Sequence, residues 1–188
     1  MVDRESVYVP EGTFGVLDAG EIPVQTADWT NGLAVPMSRG ALVATGIHTG
    51  DVRVGTSVMT SPAVTSADAS WEEIVEISVH APAGLLKVES LEKGPVVRLP
   101  LLSRTGPGWY RLRVHARGRS MPADSVSTEP AEDYLLELWP SPPADVAILR
   151  SSDRIAFSLG HSDKTSAPAP DPVRSAEQEA IYRRLMEG

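Results

Sequence analysis

The sequence predicts an all-β fold, an antiparallel two-sheet sandwich or jelly roll that is followed by a short C-terminal helix. Apolar and polar residues alternate in most segments, which is the pattern of strands with one buried and one polar face. Turn signals rich in glycine, proline and aspartate recur at roughly 8 to 12 residues, as they do in sandwich folds. The chain has 188 residues, of which 41% are hydrophobic, and this is enough for one core. We therefore expect a β-sandwich domain over residues 1–160, a proline-rich linker over 161–174 and a helix over 175–188.

Short strands separated by turns are predicted along the first half of the chain. In each of them, apolar residues either alternate with polar ones or form a short continuous run. The apolar run before the polar turn at 48–51 and the alternating segment after that turn have the pattern of a hairpin. The predicted strands cover residues 7–9, 14–17, 41–47, 52–58, 74–79, 86–88 and 96–102.

An antiparallel pair between residues 109–117 and 133–139 is the clearest prediction. In the first segment, apolar residues occupy the even positions and mostly basic residues the odd positions, so one face is apolar and the other is charged. In the second segment, Asp133 and Glu137 lie on the face opposite to the apolar residues, where pairing sets them beside the arginines. The expected core of the pair consists of Tyr110, Leu112, Val114, Tyr134, Leu136 and Leu138.

Proline residues follow the pair and end its ladder, since proline has no N–H group to donate. Edge strands are predicted over 146–149 and 155–159, before a linker too rich in polar residues and proline to order itself. Ser175 and Gln178 have the spacing of a capping box and predict the start of the helix. A helix this short needs a surface to pack on, so we expect it to dock on its own sandwich or to join two copies in a homo-oligomer. Its apolar face would consist of Ile181, Tyr182, Leu185 and Met186.

The composition excludes several classes of protein. There is no cysteine, so the chain has no disulfide, no Cys-ligated metal centre and no thiol nucleophile, as suits the cytoplasm. No segment has the roughly 18 consecutive apolar residues that a membrane span needs, and the first residues lack the apolar region of a signal peptide. The formal net charge of −8 argues against direct binding of nucleic acid, which relies on surplus Lys and Arg. We therefore expect an acidic cytoplasmic protein whose partner is neither a membrane nor a nucleic acid.

Sequence motifs of known chemistry are absent. The chain contains no G-x-x-x-x-G-K-[ST] phosphate loop, no G-x-S-x-G nucleophile elbow, no H-E-x-x-H zinc motif and no dinucleotide fingerprint. The four histidines, at positions 48, 80, 115 and 161, do not share the spacing of metal ligands. Glu72, Glu73 and Glu76 are interpreted as solvated charges on a strand face. We expect no enzyme activity, no cofactor and no metal.

Arginines on one face of the segment 109–119 are the candidate binding residues. Guanidinium groups in a row can grip a carboxylate or a phosphate with two hydrogen bonds each, and a neighbouring tryptophan can stack on a ligand. The alternative is a solvated face that is neutralised by Glu137, Asp133 or Glu89 across neighbouring strands. Tryptophans near strand ends suit a sugar-binding platform or, alternatively, plugs and edge covers of the core. The candidate set is Arg111, Arg113, Arg117, Trp109 and Trp139.

Four segments of the chain follow one another in an order that has a counterpart in a known family. They are Ala27–Thr30, Gly40–Val43, Gly108–Val114 and Glu132–Pro140. Their order resembles the competence protein J family of DNA-entry nuclease inhibitors over residues 5–150. Members of that family are small β-rich proteins that act by binding a nuclease. The resemblance implies an interaction role for this chain, which extends beyond the shared pattern at its C-terminal end.

Two functions of different classes are compatible with the sequence. The first is a non-catalytic protein-binding module, such as an inhibitor or immunity-type protein that acts on a partner such as a nuclease. The second is a small-molecule or carbohydrate-binding β-sandwich, or an enzyme built on one. A deep pocket lined by Arg111, Arg113 and Trp139 would favour the second function. An exposed apolar patch on a flat surface would favour the first.

Overall fold

Two β-sheets share one core in the computed structural model, which describes residues 4–62, 69–119, 126–127, 130–153 and 155. This part of the chain is mostly strand and contains almost no helix, so the predicted β-rich, two-sheet fold is confirmed. The elements, in chain order, are β1 (Arg4–Val9), β2 (Thr13–Asp18), a 3-10 turn (Val24–Thr26), β3 (Ala34–Pro36), β4 (Ala41–Ala44), β5 (Thr49–Val58), β6 (Glu73–Ala81), β7 (Leu86–Ser90), β8 (Gly94–Pro95), β9 (Gly108–Arg117), β10 (Val126–Ser127), β11 (Asp133–Pro140) and β12 (Ala147–Arg150).

The two sheets differ in size and in strand direction. Sheet A contains β1, β5, β11, β9, β6 and β12 in spatial order, with the short β10 paired beside β5. Its neighbouring strands are antiparallel, except that β5 runs parallel to β11 and to β10. Sheet B contains β3, β4, β2, β7 and β8, all antiparallel. Strand β9 therefore lies in the interior of sheet A, between β11 and β6.

The core lies between the inward faces of the two sheets. Leu112 of β9 lies opposite Leu138 of β11 on one side and opposite Ile77 of β6 on the other. Tyr134 of sheet A meets Phe14 of sheet B edge to face, with ring centroids 5.3 Å apart. All five side chains are fully buried. Because period-two alternation sends every second residue inward, β9, β11 and β6 present one continuous apolar surface to sheet B.

The predicted pair of residues 109–117 and 133–139 is confirmed as β9 with β11. In its register, Val114 lies opposite Leu136, and Tyr134 lies opposite Ala116. The six side chains predicted as the core of this pair are at most 2% exposed. The predicted edge strand near 146–149 is also present, as β12, which pairs with β6.

The predicted hairpin over residues 41–58 is wrong. Strand β4 pairs with β2 and β3 in sheet B, whereas β5 pairs with β1 and β11 in sheet A. Residues 45–48 therefore carry the chain from one sheet to the other. The backbone N–H groups of Gly46 and Ile47 donate to the buried carboxylate of Glu132 at 2.9 and 2.6 Å, which holds this crossing in place.

The predicted strand over residues 96–102 is also wrong, because the strand in this region is the two-residue β8. Pro95 and Pro100 have no N–H group to donate, so a ladder cannot continue through them. Val97 is 93% exposed, while Leu99 and Leu102 are buried in the core as parts of an irregular segment. The apolar pattern thus located core residues without predicting their backbone structure.

Most of the predicted C-terminal organisation lies outside the described residues. This holds for the linker over 161–174, for the helix over 175–188 and for the strand over 155–159 beyond its first residue. Ile155 is described, and its side chain is fully buried in the main core. The chain therefore still contributes to the core at residue 155.

Replacing Leu112 or Leu136 by Ala should lower the free energy of unfolding by about 2 to 5 kcal/mol, because each change loses buried apolar surface and leaves a cavity. Leu149 is a matched control, since its side chain is 45% exposed. The Leu149→Ala variant should change the free energy by less than about 0.5 kcal/mol. Urea denaturation followed by tryptophan fluorescence gives the three values. Equal midpoints for the three variants would mean that the burial assigned to β9 and β11 is incorrect.

Candidate functional site

Charged side chains line the outer face of sheet A, which is the face turned away from the core. They come from β5, β6, β9 and β11, and they alternate in sign from strand to strand. We call this set the ionic ladder. Its members are Arg53, Glu76, Arg111, Arg113, His115, Arg117, Asp133 and Glu137.

One half of the ionic ladder is a continuous chain of ion pairs. Glu76 accepts from Nε of Arg111 at 3.1 Å and from Nε of Arg113 at 2.7 Å. Glu137 accepts from Nη1 of Arg113 at 3.1 Å, and Nε2 of His115 lies 3.0 Å from the same carboxylate oxygen. The side chains of Arg111, Arg113 and His115 are buried. The two guanidinium charges are therefore compensated within the protein before any ligand arrives.

The other half of the ionic ladder converges on Asp133. Arg117 donates to one carboxylate oxygen of Asp133 through Nε at 2.9 Å and Nη2 at 2.7 Å. Arg53 donates to the other oxygen through Nε at 2.8 Å. Nη1 of Arg117 also donates to the hydroxyl of Ser70 at 3.2 Å. This half is more open than the first, since the side chain of Arg53 is 50% exposed and that of Arg117 is 33% exposed.

Two buried tryptophans cover the ionic ladder. The guanidinium of Arg113 lies 5.2 Å from the ring centroid of Trp139. Trp71 lies 5.4 Å from the His115 ring and 5.1 Å from the guanidinium of Arg117. These distances fit cation–π and aromatic contacts, which restrict the side chains they touch. Both tryptophans therefore act as covers of the charged face.

The remaining candidate tryptophan, Trp109, lies at the start of β9 and stacks on His80 with ring centroids 4.6 Å apart. The structure thus brings Arg111, Arg113 and Trp139 together, places Arg117 at the other end of the ladder and leaves Trp109 beside His80. Among the neutralising acids that the sequence suggested, Glu137 and Asp133 contact the arginines as expected. Glu89 does not serve this purpose, because it lies on β7 of sheet B.

Ion pairing shifts the pKa values of two ladder carboxylates. The hydrogen bond with His115 outweighs burial and, with the charge of Arg113, lowers the pKa of Glu137. For Asp133, burial opposes ionisation, but the hydrogen bond with Arg117 and the charges of Arg53 and Arg117 together lower its pKa. Both groups are therefore held as carboxylates in the folded protein. On sheet B, by contrast, burial raises the pKa of Glu89 despite the nearby charge of Lys87.

A second polar cluster lies at one end of the core, and we call it the end cluster. Its members are Glu73, Arg119, Glu132 and Tyr134, all at most 3% exposed. Glu132 accepts from the Tyr134 hydroxyl as well as from the two backbone N–H groups of the crossing between the sheets. Arg119 pairs with Glu73 and donates to the carbonyl oxygen of Gly32 at 2.9 Å. The end cluster therefore ties the crossing between the sheets and the loop that contains Gly32 to sheet A.

The end cluster was missed by sequence reasoning, and the interpretation of Glu73 as a solvated charge is wrong. Glu72 is exposed as expected, but Glu73 is 2% exposed. A signal was available, because Glu73 is in phase with the inward residues of β6, and Glu132 is in phase with Tyr134 and the other inward residues of β11. Burial also raises the pKa of Tyr134 well above its ordinary value, so its hydroxyl stays a hydrogen-bond donor.

An exposed apolar loop covers the outer face of sheet B. Ala27 of this loop packs on a small apolar cluster that includes Leu17 and Leu42. The loop presents three apolar side chains to solvent: Ile22 at 40%, Val24 at 55% and Trp29 at 48% exposure. We call residues 22–29 the apolar loop.

Comparison with known proteins gives one structural likeness. Crocagin biosynthetic gene J is a solved structure that aligns with this chain at a TM-score of 0.44 and 18% sequence identity. The alignment covers 76% of this chain and 98% of that one. No protein-family model and no curated protein matches the sequence. A similarity at this level assigns the chain to no family.

In the part of the chain that the structure describes, no three His, Asp or Glu side chains are grouped as metal ligands would be. Within the same residues, no helix has the length and apolar character of a membrane span.

Replacing Glu132 by Ala should lower the free energy of unfolding by more than about 3 kcal/mol. The change leaves the N–H groups of Gly46 and Ile47 and the hydroxyl of Tyr134 without their acceptor, and each such buried donor costs about 1 to 3 kcal/mol. The Glu132→Gln variant keeps one carbonyl oxygen there and should lose less. Urea denaturation measures both variants. A Gln variant as unstable as the Ala variant would contradict this account of the hydrogen bonds.

Replacing Glu137 by Gln should change how stability depends on pH. The folded pKa of Glu137 is depressed below its ordinary value of 4.5, so the stabilisation is complete above that value and is lost as pH falls through the folded pKa. The variant should be less stable than the wild-type protein at about pH 7, and the difference should shrink toward about pH 3. Urea denaturation at a series of pH values measures this difference. A difference that does not change with pH would exclude ionised Glu137 as its source.

Proposed function

We propose that this protein is a non-catalytic protein-binding module that engages its partner through the apolar loop. The observation that carries this proposal is the exposure of Ile22, Val24 and Trp29 within one short loop. Exposed apolar side chains that lie together mark interaction sites more often than isolated ones do. Tryptophan in particular is enriched among the residues that contribute most binding energy at interfaces.

The apolar loop is anchored at several points, which suits a binding surface. The N–H group of Asp28 donates to the carbonyl oxygen of Pro36 at 3.0 Å, and that of Ser38 donates to the hydroxyl of Thr26 at 2.8 Å. The carboxylate of Asp28 accepts from the N–H group of Thr30 at 2.9 Å. A loop held in one conformation loses little conformational entropy when it binds, so more of the contact energy contributes to affinity.

Charge indicates the kind of partner. The formal net charge of the chain is −8, and residues 19–38 contain Glu21 and Asp28 but no Lys or Arg. Arg39, which follows directly, is engaged by Glu21 and Asp18. An apolar surface with acidic neighbours complements a basic protein surface that offers an apolar pocket. A basic nuclease is one such partner, in line with the resemblance to the competence protein J family.

The alternative, a small-molecule or carbohydrate site at the arginines, has less support. Arg111 and Arg113 already share Glu76, and Arg111 also donates to the carbonyl oxygens of Ala144 and Asp145 at 3.2 and 2.8 Å. The side chain of Trp139 is 3% exposed, so its ring is not open for stacking on a sugar. A ligand at this place would have to displace existing ion pairs, which is costly for buried charges.

Affinity capture with tagged protein tests the proposal. The wild-type chain should retain a specific basic protein, and Trp29→Ser and Val24→Ser should each weaken its binding at least about tenfold, since exposed anchor residues contribute more than about 1.4 kcal/mol. Leu149→Ser on sheet A is the matched control and should bind normally. Titration calorimetry with the purified partner measures the affinities.

Two results of the capture experiment would contradict the proposal. One is a partner whose affinity is the same for Trp29→Ser, Val24→Ser and the wild-type protein. The other is a loss of binding by Leu149→Ser as large as that of the two loop variants. Such a result would mean that replacing any exposed apolar side chain weakens binding, so the apolar loop would not be a specific site. If the captured protein is a nuclease, its DNA cleavage is measured with the wild-type chain and with Trp29→Ser. Inhibition by the wild-type chain alone would indicate that the module is an inhibitor that acts through the apolar loop.

A further inference from the structure

The open end of the ionic ladder exposes positive charge in an otherwise acidic protein. Arg53 of β5, Asp133 of β11 and Arg117 of β9 lie side by side across three neighbouring strands. Asp133 has a side chain that is 7% exposed, whereas its two arginine neighbours are 50% and 33% exposed. The carboxylate is therefore more covered than the two arginine side chains that bind it.

A third arginine adds to this positive surface. Arg4 is exposed on β1, and its guanidinium lies 5.9 Å from the ring centroid of Trp71. The guanidinium of Arg117 lies 5.1 Å from the same ring, so Trp71 links the two arginines. The charge of Arg4 also contributes to lowering the pKa of Asp133, which places it within electrostatic range of the group. We call Arg4, Arg53 and Arg117 the arginine triad.

Acids at the margin do not cancel the charge of the arginine triad at its centre. Glu72 follows Trp71, and its carboxylate accepts from the backbone N–H group of Gly118 at 3.0 Å. Asp51 lies two residues before Arg53, opposite Tyr8 of β1. Neither acid has an ion pair with the triad in the described structure. The centre of the triad thus combines three cations with one covered carboxylate.

We propose that the arginine triad binds an oxyanion, the carboxylate or phosphate group of a small ligand. A guanidinium has five N–H donors, and Arg53 directs its Nε to Asp133 while half of its side chain faces solvent. Asp133 and Trp71 fix the positions of the arginines, so little side-chain entropy is lost on binding. Bidentate donation from guanidinium groups is the usual way in which proteins hold carboxylate and phosphate.

This site is on sheet A, whereas the apolar loop lies on the outer face of sheet B, so the two proposals can fail independently. Isothermal titration of the full chain with inorganic phosphate and, separately, with malonate tests the triad, with ionic strength held constant by sodium chloride. Saturable binding of either anion is expected. Binding of phosphate alone assigns a phosphoryl ligand, binding of malonate alone assigns a carboxylate ligand, and binding of both assigns a general oxyanion site.

Arg4→Gln and Arg53→Gln should each weaken the binding at least about tenfold, because each removes a charge-assisted hydrogen bond. Arg98→Gln is the matched control, since the Arg98 side chain is 82% exposed and its neighbour Glu5, at 3.8 Å, lies on the opposite face of β1 from Arg4. Arg4 makes no ion pair in the described structure, so its variant reports on binding even if the Arg53 variant is destabilised. Absence of saturable binding by the wild-type protein, or equal weakening by Arg98→Gln, would overturn the proposal.

Discussion

One face of strand β9 packs into the apolar core, and its other face carries buried charged side chains. The neighbouring strands of sheet A provide the partners that both faces need. The even-numbered residues of β9 are apolar and close the core, while its odd-numbered residues carry three arginines and a histidine on the other face. Burial of such charges is tolerated when each has a partner at short range. The neighbours on both sides provide the partners, since Glu76 belongs to β6 and Glu137 to β11. Pairing β9 with strands that lack outward carboxylates would leave buried guanidinium groups without partners.

Polar groups also determine how the two sheets are joined. The carboxylate of Glu132 binds the chain where it crosses from sheet B to sheet A, and Arg119 reaches the loop that contains Gly32. These interactions replace the tight turn that would otherwise join β4 and β5 as a hairpin. The end cluster therefore determines how the strands are connected. The apolar core accepts many arrangements of similar volume, so it determines only which faces of the sheets are buried.

Sequence patterns were sufficient where the information was local. Period-two alternation located β9 and β11 and their apolar faces, because each strand carries its own pattern, and the acids beside the arginines indicated that the two strands pair. The same alternation places Glu73 on the inward face of β6, but a charged residue is normally expected at the surface. Its partner Arg119, which makes burial possible, is 46 residues away in the chain. The crossing at Gly46 depends on a carboxylate 86 residues away. A short window of sequence contains no information about such distant partners, so the end cluster and the crossing were not predicted. The exposure of Trp29 could not be predicted for the same reason, because it also depends on tertiary contacts.

The parallel pairing of β5 with β11 has a consequence for the order of folding. Arg53 and Asp133, which face each other in this pair, are 80 residues apart, so the ribosome completes β5 long before its partner exists. During that interval β5 can pair with β1 while its other edge stays open, and open edges recruit strands from neighbouring chains. Contacts of such long separation also slow folding, because the entropy of closing the intervening loop is lost first. Nascent chains should therefore be most prone to aggregation between the synthesis of β5 and that of β11.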